Sequence, residues 1–228
     1  MSPDVRVARL ASRQRGVVTR AQLHAAGLTA SAIRHRVRTG RFHPFLAGSY
    51  LVGHATPAPL AAETAAMLVC GPRAVLSHQS AGALWDIGDA PAATHVTLPR
   101  SGISRRDGIR IHRVARLAPV DRRRRNGFPV TAPARTLLDL AAVLSPDDLD
   151  AALERARVLR LVRPADVRAA LDRTPKRRGA GELRRLLDDR PTLTRSRAER
   201  LLGDLVRRGG LPRPQTNAML EGFEVDLL

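Results

Sequence analysis

A chain of 228 residues with 43% hydrophobic content is long enough for one large domain or two to three small ones with real cores. Its single cysteine, Cys70, excludes an intramolecular disulfide and a cysteine-rich zinc site. The charge is strongly one-signed: 39 Lys plus Arg against 21 Asp plus Glu give +18, and the pI of about 11.8 exceeds the value of roughly 9 that marks a nucleic-acid footprint.

A genome biased toward arginine codons would account for Lys176 being the only lysine, but not for the shortage of acids. Placement is sharper than total. From Val5 to Ala62 there is no Asp or Glu, while nine arginines lie there, so the first quarter of the chain is a field of one sign. No apolar run follows Arg6, Arg9 and Arg13, so no export signal is expected and a cytoplasmic protein is. The charge-free stretch from Phe42 to Ala62 holds Pro44, Pro57, Pro59, Gly48 and Gly53 and does not read as a membrane span.

With only 3% aromatics, Leu, Val, Ile and Ala must fill the interior, which favours helices. Val5 to Gln14 reads as a first helix, ended by Gly16. Thr19 is an N-cap for a short helix from Ala21 to Ala26, Gly27 supplies a left-handed turn, and Leu28 plugs the core. Thr29 caps a third helix, Ala30 to Arg38, with Ile33 and Val37 inward. Arg41 to Phe45 and Ser49 to Val52 then read as two extended runs about an Ala47-Gly48 turn.

Three helices and a small hairpin are the order of a winged helix-turn-helix, whose second motif helix enters the DNA major groove. Ser31, Arg34, His35 and Arg38 are the outward polar groups of that helix. Arg20 and the wing's Arg41 complete the expected DNA-binding set, and double-stranded DNA is the expected partner.

A mixed α/β region follows. Helices are expected at Leu60 to Val69 and His78 to Trp85, strands at His95 to Leu98, Ile109 to His112 and Phe128 to Thr131, then the helix of ARTLLDLAAVL. Trp85 and Ile87 read as core anchors. Arg122 to Arg125 reads as a loop that either meets phosphates or only solubilises. Ser77-His78 lacks a nucleophile elbow, its side chains are expected to point apart, and His78 is assigned capping and packing. The histidines at 24, 35, 43, 54, 95 and 112 show no metal spacing, so neither a metal nor a cofactor is expected. Beyond Pro146 the chain reads as helical over Asp147 to Arg157, Pro164 to Leu171, Gly181 to Asp188 and Arg195 to Arg208, with PKRRG at 175–179 as an exposed connection.

The order GVVTRAQLHAAGL, IRHRVRTGRFHPFLAGSYLVG, AVLSHQSAGALWDIG, HVTLP, GIRIHR and GFPVTAPARTLLDLA resembles the AbiEi family of antitoxins over roughly Val5 to Leu144. The resemblance implies a winged N-terminal domain that represses its own operon, a second domain acting against a nucleotidyltransferase-type toxin, and no catalytic residue there. The tail TRSRAERLLGDLVRRGGLPRPQTNAMLEGFEVDLL resembles the start of endonuclease domains related to very-short-patch repair, with Glu199 and Asp226 at its early acidic positions. Such nucleases hold a divalent ion on two or more carboxylates, and the sequence stops at Leu228 before the rest, which implies a vestigial PD-(D/E)xK-like nuclease. The expected whole is an α+β, non-enzymatic protein: a winged helix at 1–54, an α/β domain at 57–144, a helical connector at 145–190 and an incomplete nuclease-like segment at 191–228.

Overall fold

The computed structural model describes residues 1–99, 106–188, 209, 216–220 and 223–227. Residues Met1–Arg185 form one compact unit and Leu186–Leu228 a second.

Helix α1 (Pro3–Arg13) starts where Ser2 caps it, its hydroxyl accepting from the Val5 N–H, and it buries Val7 and Ala11. Strand β1 (Val17–Thr19) follows, an element the sequence reading lacked. Thr19 and Gln22 form a reciprocal capping box at the head of α2 (Arg20–Ala25). The chain turns at Gly27, and Leu28 and Leu23 enter the core. Helix α3 (Ala30–Arg38) is capped by Thr29, whose hydroxyl accepts from the Ala32 N–H.

Strands β2 (Phe42–Pro44) and β3 (Ser49–Val52) complete a three-stranded sheet in the order β1-β3-β2. Two adjacent valines in β1 show why that sheet is buried on both sides, since successive strand residues face opposite ways. Val18, paired with Tyr50, joins Leu23, Ile33 and Phe42 in the core beneath the three helices. Val17, paired with Leu51, packs with Ala61 and Ala65 of helix α4 (Ala61–Cys70) on the other side. The winged region is therefore walled into the rest of the unit. Arg15 adds to the seam: it stacks over Phe128 at 4.8 Å and donates to the Asn126 carbonyl.

The body is a five-stranded sheet in the order β6-β5-β4-β8-β7. It comprises β4 (Val75–Leu76), β5 (Thr94–Pro99), β6 (Ile109–Val114), β7 (Arg122–Arg125) and β8 (Phe128–Thr131), with helices α5 (His78–Leu84) and α6 (Pro133–Leu140). Trp85 and Ile87 are buried as expected, the indole N–H donating to the Thr131 carbonyl.

The arginine run at 122–125 is a strand, not a loop. Asn126 and Gly127, both at positive φ, make a two-residue turn that pairs Arg125 with Phe128 and Arg122 with Thr131. At the sheet's edge, charged side chains block pairing with another strand, which gives the run a structural reason to be there.

Helices α7 (Pro146–Val158), α8 (Pro164–Arg173) and α9 (Ala180–Asp188) follow. The 175–179 stretch connects α8 to α9 with Pro175, Lys176 and Arg178 exposed as expected, but Arg177 and Gly179 also anchor it. Arg177 is half-buried and reaches Asp139 of α6 at 2.6 Å, and Gly179 sits so close to the Ala141 carbonyl that no side chain fits. Arg135 bridges Asp139 at 2.9 Å and Asp121 at 3.2 Å, while Arg173 reaches Asp121 at 2.7 Å. This largely buried ion network fastens the helical segment to α6 and to Asp121, the residue that precedes β7. Burial raises the Asp139 carboxyl, opposed by Arg135 and Arg177, and burial lowers the Arg177 guanidinium.

In the second unit, β9 (Thr216–Leu220) and β10 (Phe223–Leu227) pair antiparallel. Asp226 falls on β10. Glu199 and the helix expected at Arg195 to Arg208 lie outside the described residues.

Candidate nucleic-acid interface

Helix α3 divides by its 3.6-residue period into two faces. Ile33 is buried and Val37 half-buried against the winged core, while Ser31, Arg34, His35 and Arg38 are exposed. The basic residues gather in the last turn, where the helix dipole also favours them. His35 Nδ1 lies 3.2 Å from an Arg38 guanidinium nitrogen, and the Ser31 hydroxyl is 2.9 Å from that of Thr29.

Arg20 opens α2 and its guanidinium donates to the Tyr50 hydroxyl at 3.2 Å, so a residue of β3 holds it in place. A concavity of about 510 Å³ between α3 and the hairpin is lined by Arg20, Arg34, Arg38, Pro44, Gly48 and Tyr50. Three of the six expected DNA-binding residues thus meet on one groove. Ser31, His35 and Arg41 are exposed beside it and do not line it. Tyr50 has the position the sequence did not reveal, because its value comes from Arg20, which stands thirty residues away.

The acid-free field is not all available to a ligand. Arg36 forms a bidentate ion pair with Asp4, just before that field begins, at 2.9 and 3.1 Å, and Arg15 is spent on the seam with Phe128. What remains is exposed Arg6, Arg9 and Arg13 on α1 and exposed Arg20, Arg34, Arg38 and Arg41 around α3.

A second group of chemistry-bearing residues lies in the body. His95 and His112, read from sequence as scattered, and His78, assigned to capping and packing, converge with one ring nitrogen each within 4.8 Å of the others. Their separation along the chain hides this, since only the β5–β6 pairing and the docking of α5 unite them. Ser77 and His78 do not point apart: His78 has φ 50, outside ordinary helix geometry, and its Nδ1 lies 3.0 Å from the Ser77 hydroxyl. Burial, then Arg177, pushes His78 down to about 3; burial and Arg110 push His95 to about 4. Burial followed by the other two rings lowers His112 to about 3, against the opposing pull of Asp139. Each of these shifts favours the neutral ring.

Residues 5–42 match the model of a family described as transcriptional regulator, AbiEi antitoxin. Over these residues the N-terminal region is similar to that family. That match runs from the third residue of α1 through β1, α2 and α3 to the first residue of β2, and it supports a DNA-binding regulator at the level of the family. None of the curated proteins compared with the chain matches it. Among solved structures, the RV2827C protein from Mycobacterium tuberculosis is similar over 75% of this chain and 80% of its own, at 20% identity and a TM-score of 0.40. Among the described residues no helix is long and apolar enough to cross a membrane.

Proposed function

We propose that the chain is a cytoplasmic, non-enzymatic transcriptional regulator of the AbiEi type IV antitoxin kind that represses its own operon through the winged region. The observation that carries this reading is the convergence of Arg20, Arg34 and Arg38 on the groove between α3 and the hairpin. Such a surface neutralises phosphates, and guanidiniums on the outer side of α3 are suited to bidentate bonds with guanine in the major groove. The apolar side of the same helix, at Ile33, fixes its angle to the core. A nucleotidyltransferase-type toxin is the proposed protein partner, met by surfaces outside the winged region.

The test is binding of the full chain to the DNA upstream of its own gene, against a scrambled duplex, over a range of salt. Preference for the upstream duplex with affinity falling steeply as salt rises is expected. Equal binding to both would overturn operator recognition. Recovery of a nucleotidyltransferase-like protein from the neighbouring gene in a pull-down supports the antitoxin half, and its absence counts against that half alone.

The nuclease reading of the C-terminal segment rests on the resemblance and on one position, Asp226, falling on a strand. Magnesium-dependent DNA cleavage abolished by Asp226→Asn would establish a working nuclease. No cleavage by the 228-residue chain is the expected result.

A further inference from the structure

Pairing in the β5–β6 ladder sets Thr97 beside His112 and His95 beside Arg110, so His95 and His112 share one face of the sheet. Helix α5 lays His78 over them, its ring stacked on that of His112 at 3.4 Å between centroids. His78 and His95 are buried and His112 is half-buried. We propose that His78, His95 and His112 form a binding site for a divalent transition-metal ion of the zinc class.

The donors select the ion. Three imidazole nitrogens with no carboxylate in the group suit Zn²⁺ or its neighbours in the row, whereas Mg²⁺ and Ca²⁺ take oxygen. Distance agrees with that choice for one pair, and the spread of up to 4.8 Å over all three leaves His78 to move in. His112 Nε2 and His95 Nδ1 stand 3.2 Å apart, close to the roughly 3.3 Å spanned by two nitrogens at about 2.0–2.1 Å from a tetrahedral ion. An ion placed between them displaces the proton they share. At His78 the Ser77 hydroxyl holds Nδ1, as an outer contact does for a metal-bound imidazole, and leaves Nε2 for the ion. Stacked rings cannot both aim a lone pair at one point, so ligation turns His78 or His112 out of the stack.

The surrounding charges set the strength. Arg110, Arg135 and Arg177 act on the cluster as positive charge and Asp139 as negative. Their excess opposes a dication, so the ion is held less tightly than in a closed four-ligand centre. The fourth position goes to water or an anion, which Arg110 favours.

Untagged full-length protein, stripped with chelator and dialysed, is titrated with Zn²⁺ in a calorimeter and with Co²⁺ in a spectrophotometer. One equivalent of Zn²⁺ at micromolar protein and the intense visible bands of tetrahedral Co²⁺ are expected. His112→Gln, on the edge strand, weakens Zn²⁺ binding at least about 100-fold with an unchanged far-UV spectrum, and His54→Gln, exposed in the N-terminal region, does not alter it. Absence of stoichiometric Zn²⁺ binding by the unsubstituted chain overturns the proposal without recourse to a variant. Six-coordinate Co²⁺ bands, or Zn²⁺ affinity unmoved by His112→Gln, overturn it equally and leave a hydrogen-bonded histidine core.

Discussion

Arginine does opposite work in the two halves of this molecule. Around α3, Arg34 and Arg38 stand in solvent beside a groove. Under the five-stranded sheet, Arg135 is 3% exposed between Asp121 and Asp139. The first kind is stabilised by water, and removing one costs the fold little. The second kind is held only by its partners, and removing one strands a charge in the interior. The total of 39 Lys plus Arg counts both alike, so it overstates the basic side chains available to nucleic acid.

The strongest way to break the comparison is Arg135→Ala. Losing a buried partner of Asp139 and Asp121 should destabilise the protein by about 3–5 kcal/mol, read as a lower midpoint in urea unfolding; a change below about 1 kcal/mol would mean that the network is not a fastening. Arg34→Ala is the counterpart on the exposed side. It should weaken binding to the preferred duplex by about 1–3 kcal/mol and leave the urea midpoint where it was. Equal sequence preference before and after would remove α3 from the role of reader.

Between the two kinds of arginine lies the frame that aims them. Thr29→Ala deletes the cap of α3 and should cost about 1 kcal/mol of stability, measured by the same unfolding curve, with Thr29→Ser restoring most of it. The smallest effect is expected at the ion pair of Arg36 with the exposed Asp4. Asp4→Ala should shift stability by less than about 1 kcal/mol and, by releasing Arg36, strengthen non-specific DNA binding slightly at low salt. A large loss of stability there would show that Arg36 belongs with the buried set.

Local elements were readable where a local signal existed. Thr19, Thr29 and Gly27 mark the ends of α2 and α3, and the spacing of Ile33 and Val37 gives the inward face, so α3 was expected with the bounds it has. Strand β7 was missed because four arginines carry no apolar alternation, although the Asn126-Gly127 pair that makes the hairpin was visible. The role of PKRRG was not local at all: Arg177 finds Asp139 thirty-eight positions back along the chain. The same holds for the histidines, which meet only because a parallel strand pair and a helix place them on one face.

Strand β1 sets a limit on how this molecule can be cut. Val17 and Leu51 look toward α4, so a fragment ending at residue 54 would carry a bare oily wall across the back of its small sheet. Such a piece would clump with its own copies or lose its shape, and its silence toward DNA would say nothing about the reader helix. The proposed reader and the smallest portion that folds are therefore different lengths of chain.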